Sequence, residues 1–127
     1  MKKVILGATG SIGSSLAKKL VESGEQVHLV ARDEASLSEL ANELNSTSTT
    51  CDVLEENFSE KVVNDLNDEQ VNGLAYCVGS IDLKPLKLTK KSDFMQSFNL
   101  NLVSATEIIK SLVCDAFQKY ISHNLQP

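Results

Sequence analysis

A chain of 127 residues is long enough for one domain with a buried core and too short for two of ordinary size. Hydrophobic residues at 42 % and charged residues at 23 % match a soluble globular protein, and a net charge of −5 with a pI of about 5.0 gives no electrostatic footprint for nucleic acid. No apolar run approaches the ~20 residues of a membrane span, and the stretch after Met1-Lys2-Lys3 is too short for a signal peptide, so a cytoplasmic protein is expected.

The chain opens on an apolar run, Val4-Ile5-Leu6, joined to three glycines spaced Gly7-x-x-Gly10-x-x-Gly13. Ile12, Leu16, Ala17, Leu20 and Val21 then recur at helical spacing until Gly24, so the order is strand, tight turn, helix. Val27 to Ala31 reads as a second strand. Asp33 caps a second helix with Leu37, Leu40, Ala41 and Leu44 on one face. The Ser/Thr-rich stretch from Asn45 gives a short third strand in its second half together with Cys51-Asp52-Val53, and Leu54 to Leu66 is helical through Phe58, Val62, Val63 and Leu66. Gly73 to Val78 is a fourth strand ending at Gly79. An extended connector with Leu83, Leu86 and Leu88 leads to a long helix, capped by Thr89 or Ser92 and running to about Tyr120. Phe94, Phe98, Ala105, Ile108 and Leu112 form its apolar stripe, with Asn101 in the middle. That amide must be hydrogen-bonded, either structurally or within a site.

Strands that are apolar runs and alternate with helices predict a single α/β domain over 1–127, a Rossmann-type doubly wound parallel sheet with strand order 3-2-1-4. Ligands of such sheets bind beyond the carboxyl ends of the strands, where the order reverses. A glycine turn between a strand and a helix suits a dinucleotide pyrophosphate, because it lets backbone N–H groups and the positive helix end approach phosphate. A Walker-type loop is excluded, since Gly13-Ser14-Ser15 carries no lysine before Lys18. At the end of the second strand stands Ala31-Arg32-Asp33. Arg32 suits a 2′-phosphate and Ala31 supplies no carboxylate for a ribose hydroxyl, which favours NADP over NAD; the competing reading makes Arg32 a solvated loop residue and Asp33 only a helix cap. Asp52 and Gly79 fall at the same rim, each otherwise a helix-start acid and a turn glycine. Cys51, Cys77 and Cys114, with His28 and His123, offer no metal-ligand or disulfide spacing and read as buried, inert thiols, so no metal is expected.

Together these residues resemble the short-chain dehydrogenase/reductase family across essentially the entire chain. Leu6-Gly7-Ala8-Thr9-Gly10-Ser11-Ile12-Gly13 is similar to its T-G-x-x-x-G-x-G turn, with Leu6 for Thr and Ser11 for the middle Gly. Cys51-Asp52-Val53 resembles its Asp-Val after the third strand. Tyr76-Cys77-Val78-Gly79 stands where the family has N-N-A-G, keeping only the glycine. The stretch Asp93 to Leu102 resembles the helix signature ending in V-N-L, which puts Asn101 at the active-site asparagine.

The resemblance implies an NADP-dependent oxidoreductase that passes a hydride between the nicotinamide and a small carbonyl or alcohol substrate. Gly7, Thr9, Gly10, Ser11, Ile12 and Gly13 would cradle the pyrophosphate, Arg32 would read the 2′-phosphate, Asp52 and Val53 would meet the adenine, and Cys77, Val78 and Gly79 would line the ribose. The family's Y-x-x-x-K has no counterpart, because Tyr76 is followed four residues on by Ser80 and Tyr120 by Asn124. With no fifth strand in Tyr120 to Pro127, the expectation is a chain truncated before that strand and inactive alone; a non-catalytic NAD(P)-binding module is the alternative. An edge at the fourth strand, a poorly covered helix face and the family's habit of pairing through this helix imply a homo-oligomer.

Overall fold

The computed structural model describes residues 1–79 and 83–124, the side chains of 115–124 excepted. Four parallel strands, β1 (Lys2–Leu6), β2 (Gln26–Ala31), β3 (Thr47–Thr50) and β4 (Val71–Tyr76), lie in the order β3-β2-β1-β4. Between them run α1 (Ser11–Glu22), α2 (Glu34–Leu44) and α3 (Phe58–Leu66). After a 3-10 turn at Leu86–Leu88 come α4 (Lys91–Phe98) and α5 (Ser104–Asn124). The α/β architecture and strand order expected from the sequence are those observed.

Alternation along each strand divides the core into two layers. Val4, Leu6, Val30, Leu74 and Tyr76 face Phe58, Val62 and Leu66 of α3 and Ile108 of α5. Ile5, Val27, Leu29, Ala31 and Ala75 face Ala17 of α1 and Leu37, Leu40 and Ala41 of α2. Because both faces are covered there, the central strands β1 and β2 read as apolar runs, whereas the edge strand β3 is Thr-Ser-Thr-Thr. His28 is the exception on β2: wholly buried, it sits between the hydroxyls of Thr47 and Thr49 at 2.7 and 2.8 Å.

The structure shifts several boundaries. β3 ends at Thr50, so Cys51, Asp52 and Val53 lie beyond it. Cys51 N–H still reaches the Ala31 carbonyl at 3.0 Å, after which Asp52 Oδ1 accepts from Leu54 N–H (2.9 Å) and Glu55 Oε1 from Asp52 N–H (3.0 Å). This turn uses up the residues expected to start the third helix, and α3 begins at Phe58 instead of Leu54. β4 begins at Val71, two residues early, because its register against β1 skips Asn72, and it stops at Tyr76. Val78 and Gly79 are thereby released into the rim, while Cys77 N–H still pairs with Leu6 O.

The long helix starts at Lys91, with Asp93 Oδ2 accepting from Lys90 N–H at 2.8 Å; Thr89 instead gives its hydroxyl to the Pro85 carbonyl at 3.0 Å. Between α4 and α5, residues Asn99–Val103 form a π turn in which Ser104 N–H reaches back five residues to the Asn99 carbonyl. The inserted residue rotates all of α5 by roughly 100° about the helix axis. Consequently the inward row is Leu100, Ser104, Ile108 and Leu112, which keeps Ile108 and Leu112 of the stripe read from ideal spacing but not Phe94 or Phe98. Phe94 and Phe98 are each 54 % exposed, whereas Ile108 is fully buried. Cys114 is exposed and Cys77 half-buried, so of the three cysteines only Cys51 has the buried setting expected of all of them. The chain is helical through Asn124, and Leu125 to Pro127 lie outside the described residues.

Candidate functional site

The loops that follow β1, β2, β3 and β4 share one rim of the sheet, and β1, flanked by β2 and β4, marks the reversal of strand order. The turn after β1 is shaped by close backbone approach. Gly7 and Ala8 both donate to the Val30 carbonyl, at 2.9 and 3.1 Å, and Gly7 adopts φ +74°. A Cβ on Gly7 would lie 2.6 Å from the Cys77 carbonyl oxygen, and one on Gly13 would lie 2.2 Å from the Gly7 carbonyl oxygen. Only glycine fits either place.

Gly10 caps α1 with extended backbone, donating to Gly7 O at 3.2 Å and accepting Ser14 N–H at 2.9 Å. Among the described residues no side chain caps this helix end, and its first turn holds no acid. The first amides of α1 therefore present uncompensated positive charge. Thr9, Gly10 and Ser11 are exposed, and Ile12 stands 77 % exposed beside them.

Arg32 is exposed immediately after β2. Its neighbour Asp33 turns toward its own helix, where the carboxylate accepts from the Ser36 amide at 3.2 Å and from the Ser36 hydroxyl. Those bonds hold its pKa below the ordinary carboxylate value. Asp52 is half-buried with Oδ1 engaged by Leu54 N–H. Val53 buries its side chain in the core and gives its carbonyl to the Ser104 hydroxyl at 2.7 Å, so only backbone remains for the rim. Cys77 donates to Leu6 O at 2.9 Å, carrying the β1–β4 pairing one residue beyond β4. Val78 is half-buried and Gly79 exposed.

Asn101 lies in the π turn. Its Nδ2 donates to the Ser97 carbonyl at 2.9 Å and to Ser97 Oγ at 3.2 Å, while its Oδ1 would lie 3.1 Å from a Cβ on Gly79. The structure thus joins the sequence-derived residues in two groups: Gly7 to Gly13 against Cys77 and Val78, and Asn101 against Gly79. Burial pushes the Cys51 thiol up to about 11, which removes it as a nucleophile.

The sequence pattern of the short chain dehydrogenases matches residues 2–119. The chain belongs to the short chain dehydrogenase family. An uncharacterized oxidoreductase of Staphylococcus epidermidis is 44 % identical over 43 residues, which are 34 % of this chain and 19 % of that protein. Among solved structures, a variant of actinorhodin polyketide ketoreductase with NADPH superposes with TM-score 0.82 at 21 % identity over 90 % of this chain. L-sorbose reductase from Gluconobacter frateurii, complexed with NADPH and L-sorbose, gives TM-score 0.82 at 20 % identity over the same share. The chain spans 46 % of the length of each of these two structures.

Three residues of this chain bear on the rim in roles absent from the sequence-based expectations. Ser97 precedes Asn101 by one helical turn, and that spacing was a usable signal. Tyr76 and Ser104 act through the π turn, which nothing in the helical pattern announces.

Proposed function

We propose that these residues form the cofactor-holding part of an NADP-dependent oxidoreductase that passes a hydride between a nicotinamide and the carbonyl or alcohol carbon of a small molecule. The observation that carries the reading is the approach of Gly13 to Gly7, which leaves the uncapped start of α1 open at the rim with an exposed isoleucine beside it. Bare amides at a helix start fit a pyrophosphate, and a bound dinucleotide would cover Ile12. The NADPH in the ketoreductase and sorbose reductase structures supports the same cofactor class.

In this reading Gly7, Thr9, Gly10, Ser11, Ile12 and Gly13 hold the pyrophosphate. Arg32 meets the 2′-phosphate, and its neighbouring acid Asp33 is already committed to Ser36, which supports NADP over NAD. Asp52 and the Val53 backbone meet the adenine; Cys77, Val78 and Gly79 line the ribose. The nicotinamide, when bound, supplies the hydride chemistry. Asn101 would hold a water on the proton path, its amide oriented by Ser97. A Tyr-x-x-x-Lys pair does not occur in the 127 residues, so this chain alone is expected to bind without turnover. The half-exposed Phe94, Met95, Phe98, Leu102 and Ile109 support a homo-oligomer. The acidic charge speaks against nucleic acid, and with no helix among the described residues able to cross a membrane we place the protein in the cytoplasm.

Calorimetric titration tests the proposal. NADPH should bind more tightly than NADH, and Arg32→Ala should weaken NADPH by about 10- to 100-fold, the worth of charge-assisted hydrogen bonds, while leaving NADH unchanged. Absence of binding by either nucleotide would end the reading. Turnover of a carbonyl substrate by the purified chain would overturn the expected inactivity.

A further inference from the structure

The π turn leaves a specific backbone group to be satisfied. In a regular helix Ser104 N–H would donate to the Leu100 carbonyl; here it reaches Asn99 O instead. The Leu100 carbonyl so released accepts a hydrogen bond from the Tyr76 hydroxyl, at 2.6 Å. Leu100 and Tyr76 are packed on the same core layer, so the bond is partly shielded from water. One residue further along the π turn, Asn101 projects toward Gly79, three residues beyond Tyr76. On the other side of the turn, Ser104 Oγ is anchored on the Val53 carbonyl at 2.7 Å. The turn is therefore pinned at both ends, by β4 through Tyr76 and by the loop after β3 through Ser104.

The geometry points to Tyr76 as a positioning residue: its hydroxyl takes the carbonyl that the π turn frees, and so fixes the helical register that aims Asn101 at Gly79. This deepens the proposed function and rests on its reading of Asn101 as a site residue. A π turn is a strained local alternative to continuous helix, and it persists where its surroundings supply partners for the displaced groups. Loss of the Tyr76 hydroxyl would leave Leu100 O with no such partner and favour return of Ser104 N–H to it. That return would rotate Asn101 away from Gly79. Burial raises the Tyr76 pKa, which keeps the donor protonated.

The test uses the isotopically labelled 127-residue chain and needs no catalysis. Tyr76→Phe keeps the ring and removes only the hydroxyl. It should move the Leu100 carbonyl, Ser104 amide and Asn101 side-chain amide resonances, as Ser104 N–H passes from Asn99 O to Leu100 O. Leu112→Val, in the same core layer, should lower overall stability yet leave the Asn101 resonances in place. Unmoved Leu100 and Asn101 signals in Tyr76→Phe would overturn the proposal. As a second arm that leaves the fold intact, replacing tyrosine by 3-fluorotyrosine strengthens the donor and should shift the Leu100 carbonyl; no shift would equally overturn it. NADPH titration of the same sample reports separately at the Gly10 to Gly13 amides. Silence there would refute the cofactor reading, while the Tyr76 tether would still be decided by its own resonances.

Discussion

Gly13 comes so close to Gly7 that a methyl group on it would stand 2.2 Å from the Gly7 carbonyl oxygen. The contact is backbone against backbone, so no side-chain rotation can relieve it. Gly13→Ala should therefore spread the turn, destabilise the fold by about 1–3 kcal/mol and weaken NADPH binding at least about tenfold. Gly10→Ala is the matched control. A Cβ there meets Gly7 O at 3.4 Å and the backbone is already extended, so it should cost far less. Equal NADPH affinity for Gly13→Ala and the parent chain, read by fluorescence titration, would show that this turn is not the phosphate seat.

The buried His28 makes stability depend on pH. Lys2 Nζ donates to Thr47 Oγ1 at 3.0 Å, and Thr49 gives its only proton to Asp65 Oδ2 at 2.8 Å. Thr49 must then accept from His28 Nε2–H, which leaves Nδ1 bare to accept the Thr47 hydroxyl. The neutral ring fits this chain of donors. Burial first, and then the Lys2 ammonium, lower the His28 pKa from 6.5 to about 4, against the opposing pull of Asp65. The unfolded chain thus takes up a proton near pH 6.5 that the folded chain refuses until about pH 4. Stability contributed by the neutral ring is complete above pH 6.5 and falls with acidification, by about 3 kcal/mol at pH 4. Urea unfolding at pH 7 and pH 4.5 should show the loss, and His28→Gln should flatten it. An identical acid slope in the variant would assign the effect to carboxylates alone.

Phe98 and Ile108 lie on the same helical stretch but differ in environment, at 54 % and 0 % exposure. Ile108→Ala should cost about 2–5 kcal/mol by opening a cavity between α3, α5 and the sheet. Phe98→Ser should change the stability of the monomer by no more than about 0.5 kcal/mol, yet reduce self-association. Denaturant unfolding with sedimentation velocity separates the two effects. A Phe98→Ser chain as unstable as Ile108→Ala would place the ring in a core.

These two residues also show where the sequence was readable. Val4, Ile5 and Leu6, the apolar faces of α1 and α2, and Gly7, Gly10 and Gly13 declare themselves through period and spacing, because strand, helix and tight turn each impose a fixed repeat. The rim positions of Arg32, Asp52 and Gly79 followed from that topology. The π turn did not, since one inserted residue leaves the composition of the stripe unaltered while changing which members face inward. Ideal spacing accordingly grouped Phe94 and Phe98 with Ile108, and took Asn101 for an amide on the apolar face. The early end of β3 was hidden for a similar reason: Cys51 and Val53 are as apolar as strand residues, and the turn is made by the side chains of Asp52 and Glu55.

The pairing of β1 has a consequence for how the protein assembles. Val4 lies beside His28 on one side and beside Leu74 on the other, so one wall of the crevice joins near neighbours in the chain and the other closes a much longer loop. Closing the longer loop carries the greater entropic cost and is the slower event. The glycine turn, contained within β1, α1 and β2, is thus formed in an early unit. The wall that carries Tyr76, Cys77 and Gly79 is expected to arrive later, so under the proposed function a nucleotide present during refolding would meet half of its seat before the other half exists.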